Sequence, residues 1–135
     1  MAAKKILFKK VDRHEFQDYF TKASEFHDTM NECFERGRWN SAALEAVHCA
    51  ISANDALTIW SQGIKCSSPN HEDAVTLLQS LAGIKEVKEG ANHLLRVIKK
   101  KNLVEYEGRK FAQKEAEEIL LHGDRFFKWV SSLVL

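Results

Sequence analysis

From Phe16 to Phe34 the apolar and aromatic residues fall three and four positions apart: Phe16, Tyr19, Phe20, Ala23, Phe26, Met30, Cys33 and Phe34. That spacing follows the helical period over several turns and does not alternate as a half-buried strand would. A long helix with one apolar stripe must bury it, so the rest of the chain has to supply a matching surface. Gly37 follows as a residue free to turn out of the helix, and Arg36 and Arg38 place cations where the helix dipole favours them.

The next stretch, WNSAALEAVHCAISANDALTIW (residues 39–60), is rich in small side chains. At about 100° per residue, Ala43, Ala46, Val47, Ala50, Asn54 and Leu57 share one face. Ser41, Glu45, His48, Ser52 and Asp55 form a narrow polar strip, with His48 on the outside. The alanines allow neighbouring backbones to come close, which predicts a central helix touched on most sides. Asn54 falls inside the apolar stripe and reads as a structural amide that pins the helix seam through hydrogen bonds.

Ser68 followed by Pro69 predicts the cap and first turn of a third helix, with Ala74, Leu77, Leu78 and Leu81 as its stripe and His71 at the start of the same face. A fourth helix carries Val87, Ala91, Leu94, Leu95 and Ile98 to a basic turn. NLVEYEGRKFAQ has strand-like residues, a central glycine and no pairing segment, which predicts an ordered loop around 102–112. From about Gln113 a last helix turns Ala116, Ile119, Leu120, Phe126, Phe127 and Val130 inward. The expected architecture is an all-α, single-domain bundle of about five helices. It divides into a basic N-terminal arm, 1–12, and a helical domain, 13–135.

A chain of 135 residues suffices for one core. Its 44% hydrophobic and 29% charged residues, with one proline, argue against disorder. The apolar centre of the start, Ile6-Leu7-Phe8, is far shorter than the roughly 7 to 15 residues of an export signal, and no stretch approaches a membrane span. Three cysteines, Cys33, Cys49 and Cys66, with no C-x-x-C pair suggest neither a disulfide framework nor a zinc site. A cytoplasmic protein without membrane contact, metal or cofactor is expected. A net charge of +1 excludes a polycation. Even so, Lys4, Lys5, Lys9, Lys10 and Arg13 crowd the start, and Arg96, Lys99, Lys100 and Lys101 crowd a later turn.

Against that background the polar residues that stand out are Asp55, His71, Tyr106 and Arg109. Each has an ordinary structural explanation. Asp55 suits a nearby lysine, and His71 at a helix N-terminus suits a packed neutral imidazole. Tyr106 and Arg109, flanking a glycine turn, suit an arginine laid over a ring, although a loop position makes a binding role more plausible.

The whole pattern, with GRWNSAALEAVHCAISANDAL, NHEDAVTLL, LLRVIKKKNLVEYEGR and KEAEEILLHGDRFFKWV in succession, resembles the HEPN domain (higher eukaryotes and prokaryotes nucleotide-binding). The resemblance implies a compact helical bundle, commonly a homodimer, that binds nucleotides or RNA. Many members are metal-independent ribonucleases, often toxins with a small antitoxin, whose activity rests on an arginine followed about four to six residues later by a histidine. Here Arg13 and His14 are adjacent, Arg38 and His48 are too far apart, and neither Arg96 nor Arg109 has a histidine within reach. The catalytic residues therefore do not carry over.

What carries over is a ligand-binding set: Asp55, His71, Tyr106 and Arg109, rimmed by Lys99 and Lys101, with a stacking surface and phosphate-binding cations. The first expectation is a nucleotide- or RNA-binding module without the standard nuclease chemistry. The alternatives are a toxin-type ribonuclease with a rearranged pair such as Arg109 with His71, or a pure protein-interaction module. An antitoxin or a nucleotidyltransferase is the partner class the resemblance implies.

Overall fold

Six α-helices and one two-stranded sheet make up the computed structural model, which describes residues 5–106, 108 and 112–135. In chain order these are β1 (Phe8–Lys10), α1 (Phe16–Glu35), α2 (Trp39–Gln62), β2 (Ile64–Cys66), α3 (Glu72–Gln79), α4 (Val87–Lys99), α5 (Lys101–Tyr106) and α6 (Gln113–Val134). A single 3-10 turn, Arg13–Glu15, leads into α1. The chain is all-α in class, and its five longer helices are those that the periodicity predicts.

α1 stops where Gly37 adopts the left-handed conformation, φ 71°. The N–H of Gly37 donates to the carbonyl of Phe34 and that of Arg38 to the carbonyl of Cys33, so two carbonyls that the helix leaves open are satisfied. The chain reverses and α2 runs back along α1 through the middle of the molecule, also packing on α6, α4, α5, α3 and β2. Ala42, Ala43, Ala46, Ala50, Ala53 and Ala56 are fully buried. Their size sets the spacing: a methyl group added to Gly123 of α6 would already lie 3.4 Å from Cβ of Ala46.

Being enclosed on nearly all sides, α2 has little outer face. Ser52 is buried, and His48, expected on an outer strip, is half-buried with its ring 5.5 Å from that of Phe26.

Two further expectations are corrected, and the basic start contains a strand. The segment around 102–112 opens as helix α5, because the Val104 N–H donates to the Lys100 carbonyl and Lys101 pairs with Glu105 one turn on at 2.8 Å, while Leu103 and Val104 pack against the core. Ser68 does not cap α3. The helix begins at Glu72, whose N–H is taken by the Asn70 side-chain oxygen at 3.0 Å, two residues nearer than Ser68. Within the stretch taken as a basic arm, β1 is antiparallel to β2, with Phe8 opposite Cys66 and Lys10 opposite Ile64. The Ser67 N–H to Leu7 carbonyl and Val11 N–H to Gly63 carbonyl bonds close the two ends.

Candidate functional site

A cavity of about 110 Å³ opens where α2, β2, α3 and α4 meet. Ile51, Ala74, Leu94 and Ile98 form its apolar walls. Asn54 and Asp55 come to it from the last turns of α2, Lys65 and Cys66 from β2, Ser68 from the following bend and His71 from the start of α3. The strand pairing positions the second group: with β1 zipped to β2, Lys65 is fixed beside α2 and cannot swing away with a free loop.

Asn54 is 2% exposed, and its Oδ1 has no hydrogen-bond partner among the described residues. The sequence makes this residue a pin between helices, and the residue also borders the cavity. A buried acceptor without a donor costs on the order of 1–3 kcal/mol, so a native fold that keeps one calls for an explanation.

Next to it, burial pushes the Asp55 carboxyl up to about 6, with Lys65, Lys9 and Lys22 pulling the other way. The site thus holds a carboxylate that is mostly ionised at neutral pH but has lost much of its water. Ser68 is committed: its Oγ donates to Asp73 Oδ2 at 2.6 Å and accepts from the Asn70 N–H at 3.2 Å. Burial, followed by the charge of Lys101, pulls His71 below its usual value despite Glu105, so the imidazole is neutral at pH 7.

His71 and Ile98 also belong to a second, outer groove of about 250 Å³, with Asn70, Lys101 and Asn102 on its rim. Through His71 and Ile98 the inner cavity adjoins the outer groove. The Lys101 ammonium on the groove rim is held by Glu105 at 2.8 Å.

Of the residues singled out from sequence, Asp55 and His71 meet in the inner cavity, and Lys101 joins His71 at the groove. Lys99 is exposed and lines neither. Arg109 and the side chain of Tyr106 lie outside the described residues. Sequence reasoning missed Lys65, Cys66 and Ser68, since only the strand pairing and the turn before α3 bring them in.

It also missed a second cluster. His93 on α4 and His122 on α6 meet with their Nδ1 atoms 2.9 Å apart. The signal was present as a repeated spacing, Glu89-x3-His93-x2-Arg96 and Glu118-x3-His122-x2-Arg125.

No group of three or more metal-ligating side chains with suitable placement occurs among the described residues, and no helix among them is long and apolar enough to cross a membrane. In comparison with known families, the profile of the HEPN domain matches residues 16–133. No curated protein and no solved structure gives a significant match to the chain.

Proposed function

The chain belongs to the HEPN domain family, and from that premise we propose that it is a binding module for nucleotides or single-stranded RNA ends, working as a homodimer without the arginine-histidine nuclease chemistry common in such proteins. The observation that carries the reading is a cavity of about 110 Å³ in which Asp55 and Lys65 stand against apolar walls, with the buried side chain of Asn54 beside them. Apolar walls with a few convergent polar groups are the usual form of a small-molecule site.

The inner cavity is too small for a whole nucleotide, and the adjoining groove gives sugar and phosphate a place beside His71 and Lys101. A single lysine held by a glutamate supplies limited electrostatic attraction. Affinity should therefore come mainly from the base, with a shallow salt dependence.

Fluorescence anisotropy of labelled mononucleotides and short single-stranded RNA at low and moderate salt tests the proposal, with the same samples run on a denaturing gel. Saturable binding over intact RNA supports it. Cleavage instead would point to a rearranged nuclease, and neither binding nor cleavage would leave a protein-interaction domain. Sedimentation analysis of the free chain checks the dimer.

A further inference from the structure

We propose that Lys9, Lys22 and Lys65, gathered near Tyr19 beside the inner cavity, form a second phosphate site. The ligand class is then a nucleotide phosphorylated on both sides of its sugar, 3′ and 5′, as each nucleotide within an RNA strand is. The inference rests on the nucleotide-binding reading above and adds to it the number and placing of the phosphates.

The three lysines come from three parts of the chain. Lys9 on β1 and Lys65 on β2 are direct partners in the antiparallel register, so their side chains leave the same face of the sheet. Lys22 comes from α1, and its ammonium lies 5.8 Å from the centre of the Tyr19 ring, with that of Lys65 5.5 Å from the same centre. All three are close enough to Asp55 for their charges to act on its carboxyl. Lys65 also lines the inner cavity, which makes the cluster continuous with the site.

This gathering works against the empty fold. Like charges directly opposite each other on paired strands repel, and the Tyr19 ring offsets only part of that by attracting two of the ammoniums to its electron-rich face. None of the three lysines forms an ion pair among the described residues. Glu15 and Asp18 border the groove that Tyr19 and Lys22 share, yet neither of them pairs with a lysine. Asp55 sets one carboxylate against three ammoniums. Arg13, also of the basic start, is committed elsewhere: its guanidinium donates to the Trp60 carbonyl from Nε at 3.0 Å and from Nη2 at 2.6 Å. Phosphate suits the three that remain, because its oxygens point in several directions and a lysine binds it as a point charge.

The placing sets the ligand class. The groove beside His71 and Lys101 offers one phosphate a place, and the lysine cluster offers another on the Lys65 side of the same cavity. A nucleoside monophosphate fills one of the two. A base flanked by phosphates on both sides fills both, whether it belongs to an RNA strand or to a free nucleoside 3′,5′-bisphosphate.

The test is equilibrium binding to the full chain, over a range of salt, of 5′-AMP and 5′-UMP, of the matching 3′,5′-bisphosphates, and of short oligoadenylate and oligouridylate. The monophosphates should keep the shallow salt dependence expected above. The bisphosphates and oligonucleotides should bind at least about tenfold tighter, as a charged contact implies. For the oligonucleotides, the slope of log K against log salt should steepen by about 0.7 for each added phosphate contact. Tighter binding of the oligonucleotides than of the bisphosphates identifies RNA as the source, and the reverse identifies the free bisphosphate, both in support.

The double variant Lys9→Gln with Lys22→Gln locates the contact. It should weaken oligonucleotide binding by at least about fivefold and remove the added slope. Its melting temperature should not fall, since the cross-strand repulsion is relieved. Lys88→Gln with Lys114→Gln removes the same charge from exposed positions on α4 and α6 and should change affinity by no more than about twofold.

If monophosphates, bisphosphates and oligonucleotides bind the native chain within about threefold of one another and with one salt slope, the second phosphate site is overturned while nucleotide binding stands. Equal losses in the two double variants overturn its assignment to the lysine cluster. Failure of every nucleotide and RNA to bind overturns both readings. The native-chain comparison needs no variant to fold.

Discussion

His93 and His122 face each other across α4 and α6 with their Nδ1 atoms 2.9 Å apart, a separation at which one imidazole donates and the other must accept. The contact therefore needs at least one neutral ring. Burial lowers both pKa values; the charges of Arg125 and Arg96 lower His93 further against Glu89, and His93, Arg96 and Arg125 lower His122 further against Glu118. A histidine whose folded value lies below its unfolded value of 6.5 adds stability above that pH and loses it as the pH falls through the folded value.

The prediction is acid lability seated at this contact. Thermal melts between pH 7.5 and 5 should show Tm dropping on acidification, and His122→Gln, which keeps a side chain able to hydrogen-bond His93 but removes a proton site, should flatten the drop. An unchanged slope in the variant would mean that the pair does not govern the acid response.

A second prediction concerns Gly90 on α4. Alanine usually stabilises a helix interior by about 1 kcal/mol relative to glycine. Here the added methyl group would sit 2.4 to 2.6 Å from three ring atoms of Trp129. The indole has little room to retreat, since its Nε1 donates to the Lys85 carbonyl at 3.1 Å. Overpacking of about 1–3 kcal/mol should outweigh the helical gain. Gly90→Ala is expected to lower stability in denaturant unfolding, and in a Trp129→Ala background the same substitution should turn neutral or stabilising. Equal effects in both backgrounds would disprove the contact.

The link between α1 and α6 gives a third. His27 Nε2 lies 2.7 Å from Asp124 Oδ1, its ring is stacked on Phe127 with centroids 4.4 Å apart, and Lys128 reaches the other carboxylate oxygen at 3.0 Å. Burial raises the Asp124 carboxyl, but the hydrogen bonds from His27 and Lys128 outweigh it and hold the group below the usual carboxylate value. His27→Phe retains the stacking and removes the hydrogen bond, so it should cost about 1–2 kcal/mol in urea unfolding. A loss below about 0.5 kcal/mol would show the stacked ring alone to be sufficient.

The long helices were legible because each carries its stripe at one period and is punctuated by residues such as Gly37. α5 and the start of α3 were not. A six-residue helix is decided by one ion pair and one carbonyl contact, and α3 starts at Glu72 because Asn70, one residue before the cap position His71, takes the Glu72 N–H. At the candidate site, the family resemblance pointed to Asp55 and His71, but no local pattern announces Lys65, which arrives through pairing of β2 with residues more than fifty positions earlier. Asn54 shows the limit of a helical wheel. The wheel places it in the apolar stripe correctly, yet it cannot show that its buried Oδ1 has no hydrogen-bond partner among the described residues.

Asp55 links the site to the stability of the fold, and its sign is opposite to that of the histidine pair. Its folded value of about 6 stands above the unfolded 3.8, so its contribution is fully present below pH 3.8 and is lost as pH rises through about 6. A difference of roughly two units corresponds to about 3 kcal/mol as an upper bound on what the ionised carboxylate costs the empty protein at neutral pH. Asp55→Asn removes the charge at nearly constant volume. It should raise unfolding free energy at pH 7.5 by about 1–2 kcal/mol, with the gain shrinking toward pH 4.5, where the native carboxyl is itself protonated when folded. A residue kept for packing would behave in the other direction, since its replacement would destabilise the chain at every pH. Stabilisation at pH 7.5 together with loss of ligand binding would identify Asp55 as a group retained for its ligand at the expense of the fold; destabilisation at both pH values would remove it from the site.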